Sequence, residues 1–258
     1  MSTLENAASV LRLFSADRLE LTVTDAARAL GMPKSSVSRL LKAMRDAGLL
    51  TSVAEAPRYR VGNLLFEIAP LHTQNADLLL LADAEMAAIC RETRHTGYIS
   101  ILDGADVLVL RMLPGRDALR VVTPLGSRAA AFATANGRAL LARLSDDKVR
   151  ALHPKRLRPP SPNAPRTMHE LLERLAQLRR VGWCEAIDEA IPGVHSVAVA
   201  VESAAAQETL AFCLSFPDSH ISEIALRRTV RMLTAAARRI AEKVGDRFWE
   251  SLPRELAA

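Results

Sequence analysis

One stretch, TDAARALGMPKSSVSRLLKAMRDAGLL (Thr24 to Leu50), limits what this chain can fold into more than any other. Thr24 is placed to cap a short helix from Asp25 to Leu30, and Gly31 breaks it. Pro33 then opens a helix that runs to about Ala47 and leaves through Gly48, because proline's fixed φ fits a first turn and glycine fits a left-handed exit. At 100° per residue, Val37, Leu40, Leu41 and Met44 fall on one arc of that helix, and Ser35, Ser38, Arg39 and Lys42 on the opposite one. One face is core and the other is basic and hydroxylated. The pattern is helix, tight turn, helix.

The flanks extend it. Ser2-Thr-Leu-Glu5 fits a capping box, and Leu4, Ala7, Ala8, Leu11 and Phe14 follow at helical spacing, predicting a first helix that ends near Ser15. After the third helix, Leu49 to Val53 and Arg58 to Val61 read as two short strands joined through Ala54, Glu55, Ala56 and Pro57. Three helices followed by a hairpin are the order of a winged helix-turn-helix, a module that sets its last helix in the major groove of double-stranded DNA. Arginine forks onto guanine O6 and N7, so Arg39 is the leading base-reading candidate, with Lys34, Ser35, Ser36, Ser38 and Lys42 around it. The wing tip Ala54-Glu55-Ala56 is acidic, which leaves Arg58 and Arg60 as the wing's phosphate contacts. Residues 1–62 hold nine basic against six acidic residues, a greater excess per residue than the remainder of the chain.

From Asn63 the pattern is again helical, with Leu64, Leu65, Ile68 and Leu71 on one stripe, a polar break from Thr73 to Asp77, and a further helix from Leu78. The expected division is therefore a DNA-binding domain at 1–62, a linker helix at 63–77 and a second domain at 78–258. In the second domain the period shifts. Tyr98 to Leu102 and Val107 to Leu113 flank an Asp103-Gly104 turn, helices are expected at Ala133 to Leu144 and Met168 to Arg180, and strands at His195 to Val201 and Thr209 to Phe216. Ser219 to Trp249 reads as one long amphipathic helix. His153 to Arg166 holds five of the 13 prolines and is expected to be a surface excursion. The fold class is α+β.

Composition narrows the functions. With 49% hydrophobic and 24% charged residues among 258, the chain can bury a core. Its longest charge-free runs fall short of a bilayer span, and its start lacks the character of a signal peptide, so a cytoplasmic protein with no membrane partner is expected. Cys90, Cys184 and Cys213 are too far apart for a CxxC zinc site, no HxH or HxxxH occurs, and neither GxxxxGK nor GxGxxG is present. No cofactor or metal is expected. The net charge of +5, carried overwhelmingly by arginine, is consistent with an anionic partner.

Thr24 to Leu50 with the following PRYRVGNLLFEIA resembles the DNA-binding domain of the IclR (isocitrate lyase regulator) family of bacterial transcription factors. The likeness continues through GSRAAAFATANGRALLARL (Gly126 to Leu144), RRVGWCEAIDEAIPGVHSVAVAV (Arg179 to Val201) and LAFCLSFP (Leu210 to Pro217), which are similar in order and spacing to that family's GAF-like α/β effector-binding domain. The resemblance implies a small-molecule effector held between the sheet and the loops leading into the 133–144 helix. By position it carries ligand contact onto Ala135, Asn136, Asp188, Glu189, Ser196, Cys213 and Ser215. The amides at the start of that helix suit a carboxylate, and the resemblance implies a small organic or aromatic acid from a catabolic pathway as the effector. Ser196, Ala200, Arg138 and Ala186 depart from residues common in the family, which implies an atypical ligand.

The resemblance also implies a homodimer or homotetramer on a palindromic operator, since two-fold DNA sites match two-fold proteins. Two other readings remain open at this point. One is an architectural DNA binder that ignores metabolites; the other is an enzyme carrying a borrowed helix-turn-helix, with Cys184, His195 and Asp188 as a thiol set.

Overall fold

The computed structural model describes residues 2–15, 18–53, 57–74, 77–116, 123–153, 156–217 and 221–253. The chain divides into two compact units, Met1–Asn75 and Ala76–Ala258.

In the first unit, helix α1 (Thr3–Leu11) opens with the expected capping box: the Glu5 amide donates to Ser2 Oγ at 3.2 Å, and the Ser2 amide donates to the Glu5 carboxylate at 2.6 Å. It ends at Leu11, four residues before the expected Ser15. A two-residue strand β1 (Leu21–Thr22) precedes α2 (Val23–Leu30), and the cap of α2 is Thr22 rather than Thr24. Thr22 stands three residues before Asp25, so its hydroxyl accepts from the Asp25 amide at 3.1 Å while the Asp25 carboxylate reaches back to it. Thr24 lies inside the helix. Gly31 then takes φ +63°, the left-handed exit the sequence requires, and Pro33 precedes α3 (Lys34–Asp46). Val10, Leu21, Ala26, Val37, Leu41 and Met44 form this unit's core.

Strands β2 (Leu50–Ser52) and β3 (Arg58–Val61) join β1 in an antiparallel sheet of order β1-β3-β2. The predicted hairpin is thus present. β1 was not foreseen, because two residues carry no readable period. The wing tip, 54–56, lies outside the described residues. Helix α4 (Asn63–Gln74), the predicted linker, falls within the first unit.

The second unit is built on an antiparallel sheet of order β6-β5-β4-β9-β8-β7. Its strands are β4 (Thr96–Asp103), β5 (Asp106–Leu113), β6 (Arg128–Ala130), β7 (Cys184–Ile187), β8 (Val194–Ser203) and β9 (Glu208–Pro217). Alternation assigns the two faces. Val197, Val199 and Val201 of β8 and Leu210, Phe212, Leu214 and Phe216 of β9 pack against α5 (Asp77–Thr93) and α9 (Glu223–Val244). Ala198, Ala200, Ala211 and Cys213 face the other way, toward α6 (Ala135–Leu141) and α8 (Met168–Val181). The alanines let α6 lie close to the sheet. Gly137 in α6 does the same against the 3₁₀ turn Ala131–Ala133, where a Cβ would meet the Ala131 carbonyl oxygen at 2.1 Å.

One element in this unit is additional to the expectations, and two expectations are corrected. α7 (Asp146–Leu152), capped by Ser145, was not foreseen. The expected single terminal helix is broken by Gly245 at φ +74°, after which Asp246 caps α10 (Arg247–Ser251). The described part of the proline-rich 153–166 segment has no helix or strand, yet it buries Leu157 and Ala164 in the same cluster as α8 instead of merely crossing the surface.

Candidate DNA-binding face and effector cavity

Helix α3 presents the two faces its sequence specified. Val37, Leu40, Leu41 and Met44 are buried, while Lys34, Ser35, Ser38, Arg39 and Lys42 are exposed and Ser36 is half-buried. Burial of the apolar arc fixes the helix, and the basic arc is left to solvent as a solid outer face. Among the described residues no carboxylate pairs with Lys34, Arg39 or Lys42. The wing differs: Arg58 Nη1 lies 3.0 Å and Arg60 Nε 2.9 Å from the carboxylate of Glu20.

The second unit holds a cavity of about 320 Å³ between the α6 side of the sheet and the loop after β7. Of the seven residues expected there, Ala135, Asn136, Glu189, Ser196, Cys213 and Ser215 line it, and Asp188 does not. Asp188 takes φ +54° in the turn before β8, and the Gly193 amide donates to its carboxylate, so it shapes the loop instead.

The floor is polar and uncharged. β8 and β9 pair Ser196 with Ser215, and their hydroxyl oxygens are 2.8 Å apart. Two residues along the same face, Cys213 Sγ lies 3.8 Å from Ser215 Oγ. Burial pushes the Cys213 thiol up to about 12, so it is a neutral thiol there. Asn136, whose side chain is nearly enclosed, donates from Nδ2 to Ser100 Oγ at 3.0 Å. The Thr123 amide donates to the Tyr98 hydroxyl oxygen at 2.8 Å. Thr134 caps α6 by accepting from the Gly137 amide at 3.0 Å, and the first amides of a helix have no intrahelical acceptor. Val107, Val109, Ile191 and Val194 supply apolar wall.

Charge at the wall is already matched. Glu189 is 5% exposed, and its carboxylate accepts from both Nη atoms of Arg138, itself 2% exposed, and from Arg174 Nη1 at 3.0 Å. Arg138 also donates to the Phe132 carbonyl at 3.2 Å and to the Glu185 carbonyl at 2.6 Å. This one guanidinium ties α6 to β7 and to the 188–193 loop. Arg128, the one cation lining the cavity among the described residues, pairs with Asp103.

Sequence reasoning missed Tyr98, Ser100 and Arg128. Tyr98 and Ser100 alternate in β4 as Cys213 and Ser215 do in β9, and the register Tyr98↔Cys213 brings the two sets together. That register, not the alternation, is what the sequence withholds.

The suggested thiol set is not assembled. Cys184 pairs in register with Ala198 on the α6 side, and its thiol, raised to about 11 by burial, donates to the Ala135 carbonyl at 3.3 Å. His195 lies on the opposite face, its ring tilted at 50° against Phe216 with centroids 4.9 Å apart and its Nε2 3.1 Å from Glu185. Among the described residues no cluster of three His, Cys, Asp or Glu could hold a metal, and no helix is long and apolar enough to cross a membrane.

The family description "IclR helix-turn-helix domain" matches residues 3–54, and "Bacterial transcriptional regulator IclR C-terminal" matches residues 71–242. The chain belongs to the IclR family. Its units are therefore a helix-turn-helix DNA-binding domain and an IclR C-terminal domain, and the protein is a transcriptional regulator, as its relatives are, rather than an enzyme. It is 28% identical to the HTH-type transcriptional regulator KdgR of Escherichia coli over 93% of this chain and 94% of that one. An IclR-type regulator from Silicibacter superposes with a TM-score of 0.82 at 26% identity, over 98% of this chain and 99% of that chain. An IclR homolog from Microbacterium hydrocarbonoxydans, solved with 4-hydroxybenzoate, shares the fold with a TM-score of 0.80 at 24% identity, over 95% of this chain and 99% of that one.

Removing one member of a buried ion pair strands the other. Glu189→Ala should therefore destabilise the second unit by about 3 kcal/mol, read as a lower denaturant midpoint; an unchanged midpoint would show that the pair does not hold the wall.

Proposed function

We propose that this IclR-family regulator binds a palindromic operator as a dimer or a dimer of dimers, and that a small organic or aromatic acid in the 320 Å³ cavity alters its operator affinity. The observation that carries the effector half is the cavity's chemistry. Its volume is at the small end of ligand sites, its walls are apolar, and its floor offers the hydroxyls of Ser100, Ser196 and Ser215. Hydroxyl and amide donors can hold a carboxylate without a dedicated cation, and a single ring or short chain fits the volume. We assign ligand contact to Ala135, Asn136, Ser196, Cys213 and Ser215. Glu189 serves by holding the wall, since its oxygens are already engaged.

For the DNA half, Arg39 on the exposed arc of α3 is the base reader, with Lys34, Ser35, Ser36, Ser38 and Lys42 on bases or phosphates and Arg58 and Arg60 on phosphates. The exposed apolar side chains of α4 support self-association: Phe66 is 81% and Ile68 47% exposed, and apolar surface of that kind on a helix is normally covered. A second copy of the chain is the occupant we assign.

Three measurements test these assignments. Thermal unfolding against a panel of small carboxylic and aromatic acids should give a hit, since a ligand at 100 times its Kd adds about 2.7 kcal/mol; Ser215→Ala should shrink the shift, and silence across the panel would remove the acid reading. Arg39→Ala should bind operator and random duplex almost equally, whereas retained preference would place base reading elsewhere. Phe66→Ser should sediment as a smaller species than the parent, and an identical profile would take α4 out of the interface.

A further inference from the structure

The two arginines of the wing strand share one carboxylate. β1 pairs with β3 through Leu21↔Tyr59 and Thr22↔Arg58, and the same register continued one step sets Glu20 opposite Arg60. Side chains alternate along β3, so Tyr59 packs on the core of the first unit while Arg58 and Arg60 share the other face. Glu20 is then a cross-strand neighbour of one arginine and a diagonal neighbour of the other, close enough to bond both. Arg58 Nη1 donates to Oε2 at 3.0 Å, and Arg60 donates to Oε1 from Nε at 2.9 Å and also from Nη2. The two guanidiniums hold the Glu20 carboxyl below the usual carboxylate range, so it is ionised under any condition in which DNA is bound. On its other side Arg60 is paired with Thr51 of β2, which is uncharged.

We propose that Glu20 attenuates the wing: it sets how strongly Arg58 and Arg60 grip the DNA backbone. The proposal rests on the reading of those arginines as phosphate contacts. A phosphate oxygen approaching either guanidinium competes with the carboxylate for the same N–H donors and is repelled by its charge. Exposed ion pairs are weak, so phosphate displaces the carboxylate, but with less affinity than two unopposed arginines would provide. Backbone contacts carry no sequence information. A wing held in check therefore leaves discrimination to α3, and neutralising Glu20 raises binding to every duplex alike.

The test is fluorescence anisotropy of the full chain on a non-palindromic duplex of operator length, over a salt series. It compares the parent, Glu20→Gln, the double variant Arg58→Gln with Arg60→Gln, and all three changes together. Glu20→Gln should bind about three- to tenfold tighter near 0.1 M salt, with a slope against log salt steeper by up to about 0.9, the value of one added phosphate contact. The gain should vanish when both arginines are absent. If the arginine double variant weakens binding but Glu20→Gln does not strengthen it, attenuation is overturned and the phosphate reading survives. If the double variant binds like the parent, the phosphate reading falls and the proposal with it. A gain of equal size without the arginines would mean a long-range charge effect and would also overturn it. A role limited to fastening β1 onto β3 would lower thermal stability without tightening DNA binding.

Discussion

A guanidinium and a carboxylate buried together organise the C-terminal unit. Taking Arg138 and Glu189 out of water costs several kcal/mol per ion unless every donor and lone pair is satisfied. Here the satisfaction is nearly complete, because Arg138 reaches two main-chain carbonyls as well as the carboxylate, and Arg174 adds a second cation to Glu189. The paired groups and their partners come from the 3₁₀ turn Ala131–Ala133, α6, α8, β7 and the loop after β7. The pair can be buried only if those segments hold their present places, and α6 and the loop, so held, line the cavity.

The sheet then separates two tasks by alternation alone. Large residues on one face of β8 and β9 build the core with α5 and α9, where Val197, Val199, Phe212 and Leu214 are fully buried. Small and hydroxylated residues on the other face admit α6 closely at Ala198, Ala200 and Ala211, and leave space where Ser196, Cys213 and Ser215 replace a closer packing partner. One side carries the core and the other the cavity, so polar residues enter the cavity floor without breaching the main core. A bound ligand bridging Ser100 and Asn136 on one side and Ser196 and Ser215 on the other would bias how α6 and the 188–193 loop sit, which is the kind of differential contact that ligand control of DNA affinity requires.

Much of this was legible in the sequence because it is local. Helix α3 is fixed by a 3.6-residue period between a proline and a glycine, and its exposed arc follows directly. The alternation of Cys213 and Ser215, and the exclusion of His195 from the cavity by its place next to Ser196, could likewise be read from a period of two. Non-local pairing could not. Tyr98 and Ser100 join the floor only through the β4–β9 register, Glu189 pairs with Arg138 from 51 residues away, and Glu20 meets Arg58 and Arg60 beside a strand of two residues. The cap of α2 was misplaced by two residues because Thr22 and Thr24 are both competent, and only the reciprocal bond with Asp25 decides between them. Gly245 ended α9 early, since glycine inside an amphipathic pattern is tolerated by the period but not by the backbone it adopts.

The proposed regulation requires that occupancy of the cavity be felt at the DNA. The most direct measurement is operator affinity of the full chain with and without a saturating acid that thermal unfolding has shown to bind, at constant salt. Kd should change at least about fivefold, the lower range of allosteric coupling, and the change should be lost in a Ser196→Ala, Ser215→Ala variant that still folds. An operator Kd that stays the same while the ligand demonstrably occupies the cavity would contradict it.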